Sequence, residues 1–159
     1  MIRPAVDEDL PAILEVLRAN AHDRSLFQQS AAQIRRTLAD FTVALGDAGA
    51  LLGCAALHHH SAGNAEILGV AVVPARQGRG TGAALVKACV DRALAEGVRL
   101  LWLATAKPDY FTRFGFRPIS RWSLPLSVLW TKLGLVFHQP ASRWLPALLG
   151  RHTFMAHVR

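Results

Sequence analysis

The most informative segment of this 159-residue chain reads Val70-Ala71-Val72-Val73-Pro74-Ala75-Arg76-Gln77-Gly78-Arg79-Gly80-Thr81-Gly82. An apolar run predicts a strand, three alternate glycines predict a turn, and helical periodicity begins at residue 82. Glycine has no Cβ, so its backbone can approach an anion closely, and the first N–H groups of a helix have no acceptors inside the helix. Strand, turn and helix together therefore predict a cradle for a diphosphate.

Two well-known phosphate loops do not fit this spacing. A Walker A loop needs a Gly-Lys-Ser/Thr end, which the chain lacks. A dinucleotide fingerprint needs G-x-G-x-x-G after an early strand, whereas these glycines stand at positions 78, 80 and 82. A loop for acetyl-CoA and a glycine-rich turn without a ligand both remain.

The composition favours one globular domain in a reducing, cytoplasmic setting. Apolar residues make up 52% of the chain, and Cys54 and Cys89 lie in apolar runs without C-x-x-C spacing, as expected of small core residues. No apolar leader follows Met1, and no uncharged run reaches the length of a membrane span, so we expect no membrane partner. The net charge of +7 is scattered, which favours an anionic cofactor or substrate over nucleic acid.

Periodicity and turn residues predict an α/β domain with a mixed sheet, in the order βααβββαβαβ and covering residues 1–159. The predicted helices cover residues 7–20, 30–38, 82–96 and 108–114, with Leu94 on the buried face of the third. The predicted strands cover residues 2–6, 41–45, 50–57, 65–73, 99–105 and 116–119, with the third and fourth forming a hairpin. We expect one or two short helices and a closing strand, at residues 152–158, in the last forty residues.

Two motifs in this order resemble those of the GNAT superfamily of N-acetyltransferases. Gln77-x-x-Gly80-x-Gly82 is similar to the family's (Gln/Arg)-x-x-Gly-x-(Gly/Ala) motif. Residues 103–116, which end in Gly115-Phe116, resemble its strand–helix–Gly-Phe segment beside the CoA thiol. The resemblance covers residues 1–121, whereas residues 122–159 match it poorly. It implies a GNAT-like mixed central sheet of about six to seven strands flanked by helices.

The resemblance also implies a binding site for acetyl-CoA as co-substrate, and it implies no metal. In the family, backbone amides of this loop hold the CoA diphosphate. The loop corresponds here to Gln77, Gly78, Arg79, Gly80, Thr81 and Gly82. The strand before the loop pairs with the pantetheine arm in the family, and this strand corresponds here to Val70, Ala71 and Val72. Phe111 lies in the segment that flanks the thiol.

Acetyl transfer to an amine needs a group that accepts the proton of the ammonium. Glu66 stands eleven residues before Gln77 on the same predicted strand, similar to the general base of histone-type GNAT enzymes. A strand-end glutamate facing water is the alternative. In many family members a tyrosine four residues before the glycine of the Gly-Phe pair protonates the leaving thiolate. This chain has Phe111 at that position. Tyr110, one residue earlier, is therefore the candidate acid.

The run His58-His59-His60 admits three interpretations. A metal site is disfavoured, because adjacent strand residues point to opposite faces and no carboxylate or cysteine stands at ligand spacing nearby. The run could instead line the substrate site or form a solvated hairpin end. We expect no metal.

The acceptor amine is open among three hypotheses. Residues 103–118 resemble short N-acetylglutamate synthases and arsenic-resistance-type acetyltransferases, and Arg117 and Arg121 would suit an acceptor with a carboxylate. Leu68 departs from the synthases, which tend to carry an arginine there. We expect a small-molecule amine, an amino acid such as glutamate. The alternatives are a protein or peptide amine, or an acyl-CoA-binding module without turnover. A homodimer is possible.

Overall fold

The computed structural model describes residues 1–20, 30–61, 63–120 and 153–158, which fall into two compact units, Met1–Leu103 and Ala104–Arg159. The strands are β1 (Ile2–Pro4), β2 (Phe41–Leu45), β3 (Leu51–Ser61), β4 (Asn64–Val72), β5 (Leu100–Thr105), β6 (Phe116–Ile119) and β7 (Thr153–His157). The helices are α1 (Leu10–Ala19), α2 (Ala31–Arg36), α3 (Thr81–Ala95) and α4 (Pro108–Thr112).

The first unit contains a mixed sheet in the order β1-β2-β3-β4-β5. Strands β1 to β4 are antiparallel neighbours, and β5 runs parallel to β4. In the second unit β6 and β7 pair antiparallel. These seven strands confirm the predicted fold class, the hairpin and the closing strand. The short helices expected in the last forty residues fall on residues 121–152, outside the described residues.

The sheet of the first unit carries helices on both faces because its side chains alternate. Phe41, Val43 and Leu45 of β2 join a buried cluster with Ile13 of α1 and Ile34 of α2. Residues 53, 55 and 57 of β3 point the other way, toward α3, whose Leu85, Val86, Cys89, Val90 and Ala93 are buried. The prediction for Leu94 is wrong, since 44% of it is exposed and Leu85 takes its place in the core.

The helix ends follow local sequence signals. Ser30 and Gln33 form a reciprocal capping box at the start of α2, as the predicted serine cap requires. Gly97 follows α3 with φ 72°, a left-handed conformation that glycine adopts without strain.

Cys54 and Cys89 are buried core residues, and burial raises the pKa of each thiol to about 12. None of the described helices combines the length with the hydropathy that a membrane-spanning helix needs.

Gly53 allows β3 and β4 to approach each other closely. A Cβ at this position would lie 2.6 Å from the carbonyl oxygen of Ala71 and 3.2 Å from Cα of Val72. Gly53→Ala should therefore lower the free energy of unfolding by about 1–3 kcal/mol, because backbone atoms must shift. Chemical denaturation measures this loss. Gly46→Ala is the control with a smaller expected loss, since the three atoms nearest to its Cβ all belong to the side chain of Leu52.

Candidate functional site

The predicted phosphate loop adopts a conformation that requires glycine at two positions. Gly78 has φ 74° and Gly80 has φ 84°, and Gly80 is the N-cap of the 15-residue helix α3. The hydrogen bonds of the described residues include none donated by the backbone amides of Gly78, Arg79 or Gly80. Thr81 and Gly82 form the first turn of α3, whose amides have no acceptor within the helix. The exposed loop therefore presents N–H groups at the positive end of a helix dipole.

A side-chain network ties this loop to the end of β4. Gln77 Nε2 donates to Asn20 Oδ1 at 3.0 Å and to the carbonyl of Val72 at 3.3 Å. Asn20, which is buried, donates from Nδ2 to the carbonyls of Val16 and Val72. The side chain of Gln77 thus holds the loop in place. Asn20 carries no local sequence signal for this role, because only the fold brings the end of α1 to Gln77.

Strand β4 is irregular beside the loop. Cys54 pairs with Ala71 and Ala56 with Leu68, so β4 carries one extra residue opposite β3, and Gly69 has φ 63° there. A bulge of this kind bends a strand and redirects its backbone groups. A glycine inside a predicted strand was the available signal for it. Leu68, Gly69 and Val70 are half-buried as a result, between buried ends of the strand.

Pairing between β4 and β5 ends at Glu66. The register joins Asn64 to Leu100, Ala65 to Leu101 and Glu66 to Trp102, and in the described part of the chain it goes no further. Among the described residues, Ile67, Leu68, Ala71 and Val72 therefore have a sheet partner only on the β3 side. Glu66 lies where this strand edge begins, and its side chain is only 6% exposed. The alternative of a glutamate facing water is wrong.

The three histidines each face a different carboxylate. His58 Nδ1 lies 2.7 Å from Asp40 Oδ2, His59 Nε2 lies 2.9 Å from Glu96 Oε2, and His60 Nε2 lies 3.0 Å from Glu66 Oε2. The solvated-end interpretation is wrong for His60, whose side chain is 10% exposed. The reason is that β3 extends to Ser61, four residues beyond its predicted end, which places the run inside the sheet.

The hydrogen bond with Asp40 raises the pKa of His58, an effect that burial partly opposes and the charges of Asp40 and Glu66 reinforce. A raised pKa in the folded state means that this pair stabilises the fold fully below the ordinary value of 6.5. The contribution is lost as the pH rises through the raised pKa. Because the His58 side chain is 37% exposed, solvent screening limits the effect to about 1 kcal/mol or less.

Asp40→Asn should consequently destabilise the protein more at pH 5.5 than at pH 9. Urea unfolding of the parent and the variant at both pH values measures the difference. Asp91→Asn is the matched control, since its partner Lys87, 2.6 Å away, keeps its charge across most of this range. A loss for Asp40→Asn that is equal at the two pH values would contradict a protonated His58.

The second unit contains the other predicted site residues. Tyr110 contacts Phe111 and Phe114, and the guanidinium of Arg113 lies 4.1 Å from the centre of its ring. Phe111 is buried and packs edge-on against Phe116. Both aromatic residues therefore have packing roles within α4 and β6. The roles of Tyr110 as acid and Phe111 beside the thiol stay predictions.

The structure brings together part of the predicted site within the first unit. Residues 70–72, the loop at 77–82 and Glu66 all belong to β4 or follow it directly. Among residues 1–20, 30–61, 63–120 and 153–158, no group of three or more histidine, cysteine or acidic side chains is arranged to hold a metal ion. The arrangement offers amides for an anion, a strand edge for an extended ligand and a buried carboxylate to accept a proton.

Comparison with known sequences identifies a family. A family model described as acetyltransferase (GNAT) family matches residues 6–116. The chain is 32% identical over 126 residues to an amino-acid acetyltransferase of Aeromonas salmonicida, a match that covers 78% of this chain and 28% of that protein. An amino-acid acetyltransferase of Mycobacterium tuberculosis is 30% identical over 121 residues, with 75% and 69% covered. The chain thus spans just over a quarter of the Aeromonas relative.

Solved structures agree on the fold. Rv2747 from Mycobacterium tuberculosis, solved in complex with CoA, superposes with a TM-score of 0.85 at 26% identity, covering 100% of this chain and 99% of that one. An N-acetylglutamate synthase from Neisseria gonorrhoeae, complexed with coenzyme A and N-acetyl-glutamate, has a TM-score of 0.75 at 24% identity. That match covers 99% of this chain and 34% of the synthase, and it supports the fold alone.

Proposed function

We propose, since this chain belongs to the acetyltransferase (GNAT) family, that it transfers the acetyl group of acetyl-CoA to the primary amine of a small molecule, an amino acid such as glutamate. One observation carries the proposal. The glycine loop before α3 and the buried Glu66 stand at opposite ends of one edge of β4, which beyond Glu66 pairs with no other strand of the described chain on the side away from β3. An extended thioester with a diphosphate at its far end matches this arrangement.

The loop would hold the diphosphate of CoA. Amides at residues 78–82 lie at the positive end of α3. The glycines at 78 and 80 leave the approach open, because a Cβ at either would meet no atom of the described residues within 4 Å beyond its chain neighbours. The net charge of +7 favours the anionic cofactor further. In this binding site Gln77 would keep the loop in place through its hydrogen bonds to Asn20 and Val72.

The edge of β4 would hold the pantetheine arm. The amide of Val73 donates to the carbonyl of Leu52 on β3, so the backbone groups of Val72, one residue earlier, point away from β3. The carbonyl of Val72 accordingly accepts bonds from Asn20 and Gln77 instead of from a strand. Pairing of an extended ligand with such an edge is a common recognition mode.

Glu66 would act as the general base. It accepts a proton from the acceptor's ammonium group, so an N–H bond breaks and an O–H bond forms. The amine nitrogen then attacks the thioester carbonyl carbon and a C–N bond forms. As the C–S bond breaks, the sulfur leaves with the electron pair as thiolate, and the nitrogen gives its second proton to the thiolate or to water, which yields a neutral amide. A thiolate is a good leaving group near neutral pH, so Tyr110 would assist its departure without being essential.

A thiol-release assay tests the proposal. Acetyl-CoA is mixed with the protein and a panel of amino acids that includes glutamate, next to a peptide with a free amino terminus and a reaction without amine. We expect amine-dependent thiol release with at least one amino acid and none with the peptide. Thiol release only with the peptide would mean that the acceptor is a protein or peptide amine and not an amino acid. CoA binding by calorimetry without release for any amine would instead indicate a binding module.

A further inference from the structure

The carboxylate of Glu66 is held by a histidine that the chemistry above does not use. His60 Nε2 lies 3.0 Å from Glu66 Oε2, and both side chains are nearly buried, at 10% and 6% exposure. A carboxylate taken out of water keeps its charge best when a donor is aimed at it. A hydrogen bond from Nε2–H supplies that donor and selects one orientation of the carboxylate.

The ring of His60 is itself fixed on two sides. It stacks on Trp102, with ring centres 5.5 Å apart and planes 23° from parallel. His58 meets it edge-on with centres 5.0 Å apart. Trp102 is anchored by the bond from its Nε1 to Asn64 Oδ1 at 2.8 Å, and His58 by its contact with Asp40. Little freedom remains for the imidazole to rotate away from Glu66.

We propose that His60 is a positioning residue for Glu66, which it holds in the orientation that accepts the proton of the acceptor amine. The proposal rests on Glu66 being the base of the proposed reaction. His60 keeps its own proton throughout: Nε2–H donates to the carboxylate while Glu66 takes the proton released by the ammonium. Accurate placement of a catalytic group is a large part of its effect, and small misplacements reduce the rate strongly.

Two substitutions at His60 separate positioning from packing. His60→Phe keeps a flat ring over Trp102 but removes the donor. His60→Gln removes the ring but keeps an N–H donor the same number of bonds from the backbone as Nε2. We expect His60→Phe to lower kcat roughly tenfold with unchanged CoA affinity, and His60→Gln to recover most of that loss. His59→Gln, which changes a histidine paired with Glu96, should behave like the parent.

The double variant Glu66→Gln/His60→Phe tests whether His60 acts through Glu66. Residues that act as one unit show strongly non-additive effects, so the double variant should be no slower than Glu66→Gln alone. Multiplied losses would overturn the proposal, as would parent-like turnover of His60→Phe or equal losses in the Phe and Gln variants. A parent-like Glu66→Gln would instead contradict the assigned base, and thus the proposed chemistry.

Nitrogen-15 spectra of the histidine side chains provide a measurement that needs no turnover. In the CoA-bound protein at neutral pH, the Nε2 of His60 should carry a hydrogen-bonded proton. Its signal should change in Glu66→Leu, which has no acceptor. An unprotonated Nε2 in the parent would overturn the proposal even if no active acceptor amine had been found. Full activity of His60→Phe would also overturn it, in the case that His60→Phe folds and His60→Gln does not.

Discussion

Glu66→Gln should bind acetyl-CoA with near-normal affinity and lose most of its turnover. Glutamine keeps the shape of the buried side chain and can still accept the bond from His60 Nε2, but it cannot take up a proton. A positioned base is worth roughly 10²–10⁴-fold in rate, so kcat should fall within that range. The loss should shrink at high pH, because more of the acceptor amine is then deprotonated before it binds. Steady-state kinetics over pH and calorimetry with CoA measure both effects.

Glu96→Gln is a matched control for this variant. Glu96 also faces a histidine, with Oε2 2.9 Å from His59 Nε2, but it follows α3 at the surface and lies outside the proposed site. Its turnover should equal that of the parent. Parent-like turnover of Glu66→Gln at neutral pH would place the base elsewhere. If Glu66→Gln instead failed to fold, the glutamate would be a structural strand residue.

Gly80→Val should weaken CoA binding about 10- to 100-fold. Gly80 has φ 84°, which a β-branched residue adopts only with strain of about 1–3 kcal/mol, and relief of that strain turns the loop amides away from the ligand. Apart from its chain neighbours, no atom of the described residues lies within 4 Å of the added Cβ, so the side chain would project into the space proposed for the diphosphate. Isothermal calorimetry with CoA measures the affinity directly.

Gly49→Val provides the control for backbone strain. Gly49 lies in the turn between β2 and β3 with φ 75°, and within the described ranges a Cβ there would also meet nothing within 4 Å beyond its chain neighbours. This variant should lose comparable stability in thermal unfolding while its CoA affinity stays unchanged. Equal affinity of Gly80→Val and the parent would show that the loop does not hold the diphosphate.

Local sequence signals were sufficient for most elements of the fold. Apolar periodicity located β2, α3 and β5 to within a residue or two, and the serine cap at Ser30 and the glycine stop at Gly97 hold as predicted. These signals act between residues close in the chain, so they can be recognised without the fold. The end of β3 was missed by four residues, because histidines carry no clear strand signal.

The sequence by itself determined the element order, the mixed α/β class and the glycine loop at the start of α3. These depend on side-chain periodicity and on where glycine is needed. Only the tertiary structure decided what surrounds Glu66 and Gln77. His60 and Trp102 reach Glu66 from β3 and β5, and Asn20 reaches Gln77 from the residue that follows α1, through contacts between residues 6 to 57 positions apart. Burial and strand register create such contacts, and neither is encoded in the spacing of any one motif.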